Sequence, residues 1–157
     1  MLCGKENGAW RPYPTAEVKD TVNKLSAGLL RLGVSGNDMT VEKQDKIALV
    51  SKNRPEWLML DLACQQIGVT LCPIYPTTNV NELEFIFNDA AVKYAFISGQ
   101  DILDKVNLIR NTVPSLLNVY SFDNLSGVDH WKKLLAPVET YDVAKLEDLK
   151  NSILNIT

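Results

Sequence analysis

Apolar positions along the chain switch between a spacing of three to four and short unbroken runs, the signatures of amphipathic helices and buried strands. Thr15 reads as a helix N-cap. Behind it Val18, Val22, Leu25, Leu29 and Leu32 fall on one helical face, and Gly33 is placed to stop the helix. The polar turn Ser35-Gly36-Asn37-Asp38 leads to Lys46-Ile47-Ala48-Leu49-Val50-Ser51, a buried strand. Pro55 suits a first helical position. Trp57, Leu60, Cys64 and Ile67 share the face that follows, and Gly68 closes it. The run from Val69 to Tyr75 reads as a second strand, stopped by Pro76. Pro73 confines it to an edge or an end, because proline cannot donate to a ladder.

Asn79 with Glu82 forms a capping-box pattern ahead of the apolar face Val80, Leu83, Phe87 and Ala90. Lys93 to Ser98 is a third strand ended by Gly99. Asp101 to Asn111 is a helix carrying Ile102, Val106 and Ile109, and Pro114 closes it. Asn118 to Phe122 gives a fourth, weaker strand. The remainder suggests a short helix from His130 to Leu135 and a longer one from Val143 to Leu154, with Val143, Leu146, Leu149 and Ile153 on its face. Met1 to Trp10 is polar and carries no apolar signal-peptide core.

This alternation predicts βαβ units: an α/β, three-layer, mostly parallel sheet with flanking helices, Rossmann-like in character. At 157 residues the chain is expected to be a single α/β domain, 1–157. Ligands of such sheets bind beyond the carboxyl ends of the strands, which points to the loops after Ser51, Tyr75 and Ser98.

Composition narrows the function classes. A net charge of −3 argues against a nucleic-acid partner, which calls for a basic face. No apolar run approaches the roughly 18–20 residues that span a bilayer. Cys3, Cys64 and Cys72 are too few and too scattered for a disulfide framework or a zinc site, and they fit a reducing cytosol. Cys64 and Cys72 lie on apolar faces and read as packing residues. Trp57 reads as a core anchor.

The chain has no G-x-G-x-x-G, no G-x-x-x-x-G-K-[ST] and no G-x-S-x-G. His130 is the sole histidine and reads as a solvated residue rather than a catalytic base. Pro73-Ile74-Tyr75-Pro76 has PxxP spacing but follows an apolar strand, so it reads as a strand exit. Two sequons, Asn124-Leu125-Ser126 and Asn155-Ile156-Thr157, have no meaning without secretion. Chemistry alone thus describes an α/β domain without a visible active site.

Several phrases taken in order say more. Trp10-Arg11-Pro12-Tyr13-Pro14-Thr15 precedes a helix ending Gly28-Leu29-Leu30-Arg31-Leu32-Gly33-Val34. Asp45-Lys46-Ile47-Ala48-Leu49-Val50-Ser51-Lys52-Asn53-Arg54-Pro55-Glu56-Trp57 follows, then Asp61-Leu62-Ala63-Cys64, Gly68-Val69 and Pro73-Ile74-Tyr75-Pro76-Thr77. Phe85-Ile86-Phe87-Asn88-Asp89-Ala90 and Lys93-Tyr94-Ala95-Phe96-Ile97 complete the set. From about Trp10 to Ser98 this resembles the N-terminal region of adenylate-forming enzymes of the AMP-binding superfamily. Bacterial long-chain fatty acid–CoA ligases are the nearest branch.

The resemblance implies an ATP-dependent ligase that uses ATP, Mg²⁺ and CoA to convert a fatty acid to acyl-adenylate and then to acyl-CoA. The family's Ser/Thr/Gly-rich phosphate loop ending Pro-Lys-Gly is absent. So are its Tyr-Gly-x-Thr-Glu motif, its ribose-binding Asp and its C-terminal Lys. No catalytic, cofactor-binding or metal residue can therefore be carried over to a position here.

The expectation is a scaffold piece of a longer ligase, cut at both ends and inactive alone. Its partner would be the remainder of the same polypeptide, its exposed faces would favour self-association, and its location would be cytoplasmic or peripheral to a membrane. The alternatives are a standalone Rossmann-like binding or oligomerisation module, and a small-molecule binder using the strand-end loops.

Overall fold

The computed structural model describes residues 2–6, 8–135 and 143–154. A hairpin of β1 (Leu2–Glu6) and β2 (Ala9–Tyr13) opens the chain, followed by α1 (Thr15–Arg31). The sheet strands are β3 (Lys46–Val50), β4 (Thr70–Ile74), β5 (Tyr94–Ile97), β6 (Asn118–Ser121) and β7 (Asp129–His130). Helices α2 (Pro55–Ile67), α3 (Val80–Asp89) and α4 (Gln100–Ile109) connect the first four. A 3₁₀ turn (Trp131–Leu134) and α5 (Val143–Leu154) follow. The five strands run parallel in the order β4-β3-β5-β6-β7.

The three layers follow from the pleat. Ile47, Leu49, Phe96 and Tyr120 point to one face and meet Leu25, Leu29, Leu60, Cys64 and Ile67 of α1 and α2. Ala48, Val50, Ala95, Ile97 and Val119 point to the other and meet Leu83, Phe87, Ile102, Val106 and Ile109 of α3 and α4. Both faces are covered, which is why these strands read as unbroken apolar runs rather than alternating ones. The α/β three-layer expectation is correct. Edge strand β4 carries Pro73, exposed and opposite Leu49, as its chemistry requires.

At the amino ends of the strands, the buried Asp45 carboxylate accepts from Lys93 Nζ at 2.6 Å and from the Ser35 N–H at 2.9 Å. It ties the loop after α1 to β5.

Three local expectations need correction, and one element was not foreseen. Thr15 is the first helical residue, with Pro14 in the cap position, and no side chain caps that end. Its neighbour's fixed φ does the work of starting the helix. Leu2–Glu6 and Ala9–Tyr13 pair as an antiparallel hairpin that the polar composition concealed. The segment from His130 to Leu135 is a two-residue strand and one 3₁₀ turn rather than a helix, with Trp131 buried against Phe122 at 5.8 Å between rings. Trp57 is only half-buried at the margin of the core.

By contrast, Asn79 Oδ1 accepts from the Glu82 N–H at 2.9 Å, as a cap should. Gly68 adopts φ 71° at the end of α2, a left-handed conformation that favours glycine. Among the described residues no helix is long and apolar enough to cross a membrane. The Asn155-Ile156-Thr157 sequon lies outside the described residues.

Candidate functional site

The strand order reverses between β3 and β5, because β4 pairs on one side of β3 and β5 on the other. At such a switch point the loops leaving the two strands part in opposite directions and open a crevice. A cleft of about 740 Å³ lies there. It is lined by the loop after β3 (Lys52, Asn53, Arg54), the start of α4 (Ser98, Gly99, Asp101), Asp123 beyond β6, and the β1–β2 hairpin.

Two of the three loops singled out from the sequence, those after Ser51 and Ser98, meet in this cleft. The third does not. Tyr75 leaves the outer strand β4 and stands 81% exposed, away from it. Lys105 Nζ holds that outer loop by donating to the Pro76 and Thr78 carbonyls at 3.0 and 2.9 Å. Pro73 to Pro76 is thus a strand exit.

The hairpin forms the remaining wall. Glu6 pairs with Ala9, and the sequence between them reads Asn7-Gly8. Asn-Gly is a strong hairpin dipeptide, and it was the signal available in the sequence. The hairpin seats on α2 through Gly4. A Cβ there would lie 2.6 Å from Pro55 Cγ. The Tyr13 hydroxyl donates to Glu6 Oε1, and the Arg11 guanidinium lies 4.2 Å from the Tyr13 ring centroid. The Tyr13 hydrogen bond, foremost, and the Arg11 cation hold the Glu6 carboxyl below the usual range.

Arg54 organises the floor. Its Nε and Nη2 donate to Glu56 at 2.9 and 3.1 Å, and its Nη1 donates to Asp123 Oδ1 at 2.9 Å. Its guanidinium lies 5.3 Å from the Phe122 ring centroid. The other Asp123 oxygen accepts the Gly99 N–H at 2.8 Å. Burial pushes the Asp123 carboxyl up, but the Arg54 and Gly99 hydrogen bonds outweigh it, and the carboxyl sits below its ordinary value. Arg54 therefore joins the ends of β3, β5 and β6 to the start of α2.

The lining holds three cations (Lys5, Lys52, Arg54) and four carboxylates (Glu6, Glu56, Asp101, Asp123). The best-placed cation and the first amide of the α4 turn are already engaged by protein groups. The cleft can enclose and orient a polar molecule. Its lining has no histidine, and Cys3 is its one thiol.

The other candidates lie elsewhere. The His130 ring Nε2 sits 3.3 Å from the Phe122 carbonyl, outside the cleft lining. Cys64 is buried, and burial pushes its thiol up. Cys72 is half-buried and shifted the same way. Both pack rather than react.

A parallel sheet covered by helices on both faces, with a crevice at its switch point, defines the class, a doubly wound α/β domain. The profile of the family described as "AMP-binding enzyme" matches residues 7–151, and the chain belongs to that family. The long-chain-fatty-acid–CoA ligase FadD15 of Mycobacterium bovis is 25% identical over 140 residues, covering 89% of this chain and 22% of its own length. Long chain acyl-CoA synthetase 4 of Arabidopsis thaliana is 28% identical over 117 residues, covering 74% and 16%. Among solved structures, the anthranilate CoA ligase AuaEII in complex with anthranoyl-AMP superposes with a TM-score of 0.66 at 19% identity, over 78% of this chain and 22% of that one. The chain spans only about a fifth of the length of these two curated relatives.

Proposed function

We propose that this chain is the N-terminal scaffold portion of a larger adenylation domain in a long-chain fatty acid–CoA ligase. Such a ligase joins a carboxylate to ATP, releasing pyrophosphate, and then transfers the acyl group to the CoA thiol, releasing AMP. The observation that carries the reading is the family match across residues 7–151, in a chain that covers only 22% of a ligase relative.

The geometry agrees with a supporting role. The Arg54 guanidinium is fixed by two carboxylates, and the Gly99 amide is taken by Asp123. Those groups hold loops together rather than await a triphosphate. On this reading ATP, Mg²⁺ and CoA are bound by other parts of the enzyme, and the chain alone is inactive. The free thiols and ordinary charge fit a cytoplasmic setting.

The test has two arms. Fatty-acid-dependent exchange of labelled pyrophosphate into ATP is measured with the 157-residue chain, where none is expected. Residues 7–151 are then placed in the M. bovis ligase in exchange for its matching segment, and acyl-CoA formation is expected to persist. Exchange by the chain alone would refute the inactive-scaffold reading. A folded chimaera that forms no acyl-adenylate would refute the scaffold equivalence.

A further inference from the structure

A second cavity, of about 460 Å³, lies on the opposite side of the helical layer from the sheet, between α1, α2 and α5. Its walls are Val18 and Val22 of α1, Leu62 of α2 and Ile153 of α5. Helix α5 is seated on this layer by the buried Leu146 and by Leu149. The volume falls within the roughly 300–1,000 Å³ typical of small-ligand sites.

Two features give the groove a chemical preference. Among the described residues its lining carries two ammonium groups, Lys19 and Lys150, and no carboxylate, in a chain whose net charge is −3. Lys150 pairs with Glu147 at 3.0 Å, whereas Lys19 has no carboxylate partner among the described residues. The second feature is Asn23, one helical turn beyond Lys19 and only 8% exposed. Its Oδ1 accepts from Gln66 Nε2 at 2.8 Å, while its amide nitrogen has no hydrogen-bond partner among the described residues. No fully buried side-chain nitrogen or oxygen there lacks a partner, so this donor opens to solvent, and the groove is the cavity it lines.

We infer that the α1–α2–α5 groove binds a small aliphatic monocarboxylate. The carboxylate takes one oxygen to the Lys19 ammonium and the other to the Asn23 amide. The hydrocarbon tail lies among Val18, Val22, Leu62 and Ile153. An anion with an apolar tail satisfies the unpaired cation, the unpaired donor and the apolar wall together. A neutral alkane would leave both donors unmet. The site is separate from the cleft above the sheet, and the inference does not depend on the ligase reading.

The test titrates the 157-residue chain with sodium octanoate, sodium butanoate and octyltrimethylammonium, followed by two-dimensional NMR of its amides and methyls. Saturable shifts at Val18, Val22, Leu62 and Ile153 are expected with octanoate. Butanoate, four methylenes shorter, should bind about tenfold or more weakly, and the ammonium amphiphile weaker still. Lys19→Glu should weaken octanoate about tenfold, and Leu62→Trp should fill the groove and block it. Both positions are exposed, and thermal melts check that the variants fold. Absence of saturable shifts, equal binding of the ammonium compound, or indifference to both variants overturns the inference. The wild-type comparison of anion with cation decides even if a variant fails to fold.

Discussion

Replacing Arg54 by alanine tests whether one side chain holds the carboxyl ends of the sheet together. The variant loses two charge-assisted hydrogen bonds to Glu56, one to Asp123 and the contact with the Phe122 ring. Such bonds are worth about 1.5–3 kcal/mol when buried and about 0.2–1 kcal/mol when exposed. The Arg54 and Glu56 side chains are 24% and 17% exposed and Asp123 is 39%, so the Glu56 bonds lie nearer the buried limit and the Asp123 bond nearer the exposed one. A net loss of about 2 kcal/mol follows, or a fall in Tm of about 4–8 °C for a domain of this size.

Urea unfolding followed by fluorescence of the buried Trp131, which packs on Phe122, measures it. Arg54→Lys should recover only part, since an ammonium cannot repeat the bidentate fork. A loss below about 0.5 kcal/mol would refute the clamp, as would strict additivity with Asp123→Ala.

The pH dependence has a definite sign. The folded Asp123 carboxyl lies below its ordinary value of about 3.9. Its contribution is therefore present above that value and disappears as pH falls through the depressed one. The gap between wild type and Arg54→Ala should hold from about pH 7 to pH 5 and narrow below about pH 4.

Three further substitutions check the local reasoning. Gly28→Ala ordinarily gains about 0.5–1 kcal/mol inside a helix. Here the new Cβ would collide with the Leu134 carbonyl oxygen, so a loss of about 2 kcal/mol is expected, and a raised Tm would contradict the packing of α1 on the 3₁₀ turn. Asn79→Ala should cost about 1 kcal/mol because its side chain caps α3, while Thr15→Ala should stay within about 0.5 kcal/mol because no side chain caps α1. Denaturant curves showing equal losses at both positions would count against that distinction.

Much of the fold was legible in the chain. A buried strand between two helices needs apolar residues on both faces, and Ile47-Ala48-Leu49-Val50 shows them without structural help. Helix stops at Gly68 and the Asn79 cap are local events set by backbone freedom and one side-chain hydrogen bond. The ordered phrases from Trp10 to Ser98 likewise carried the family resemblance. The hairpin was less legible. Its residues alternate little in hydrophobicity, and Asn7-Gly8 was its one clear mark.

Only the tertiary structure decided the rest. Periodicity names the strands but not their order. That order places β5, rather than β4, across the switch point, and so admits the Ser98 loop to the cleft and leaves Tyr75 outside. The Arg54–Asp123 contact joins residues 69 positions apart, and the groove at Asn23 needs three helices brought together by packing. The physical reason is common to all three. Local propensity acts over a few residues, whereas clefts, clamps and unpaired donors arise from which distant surfaces the core brings into contact.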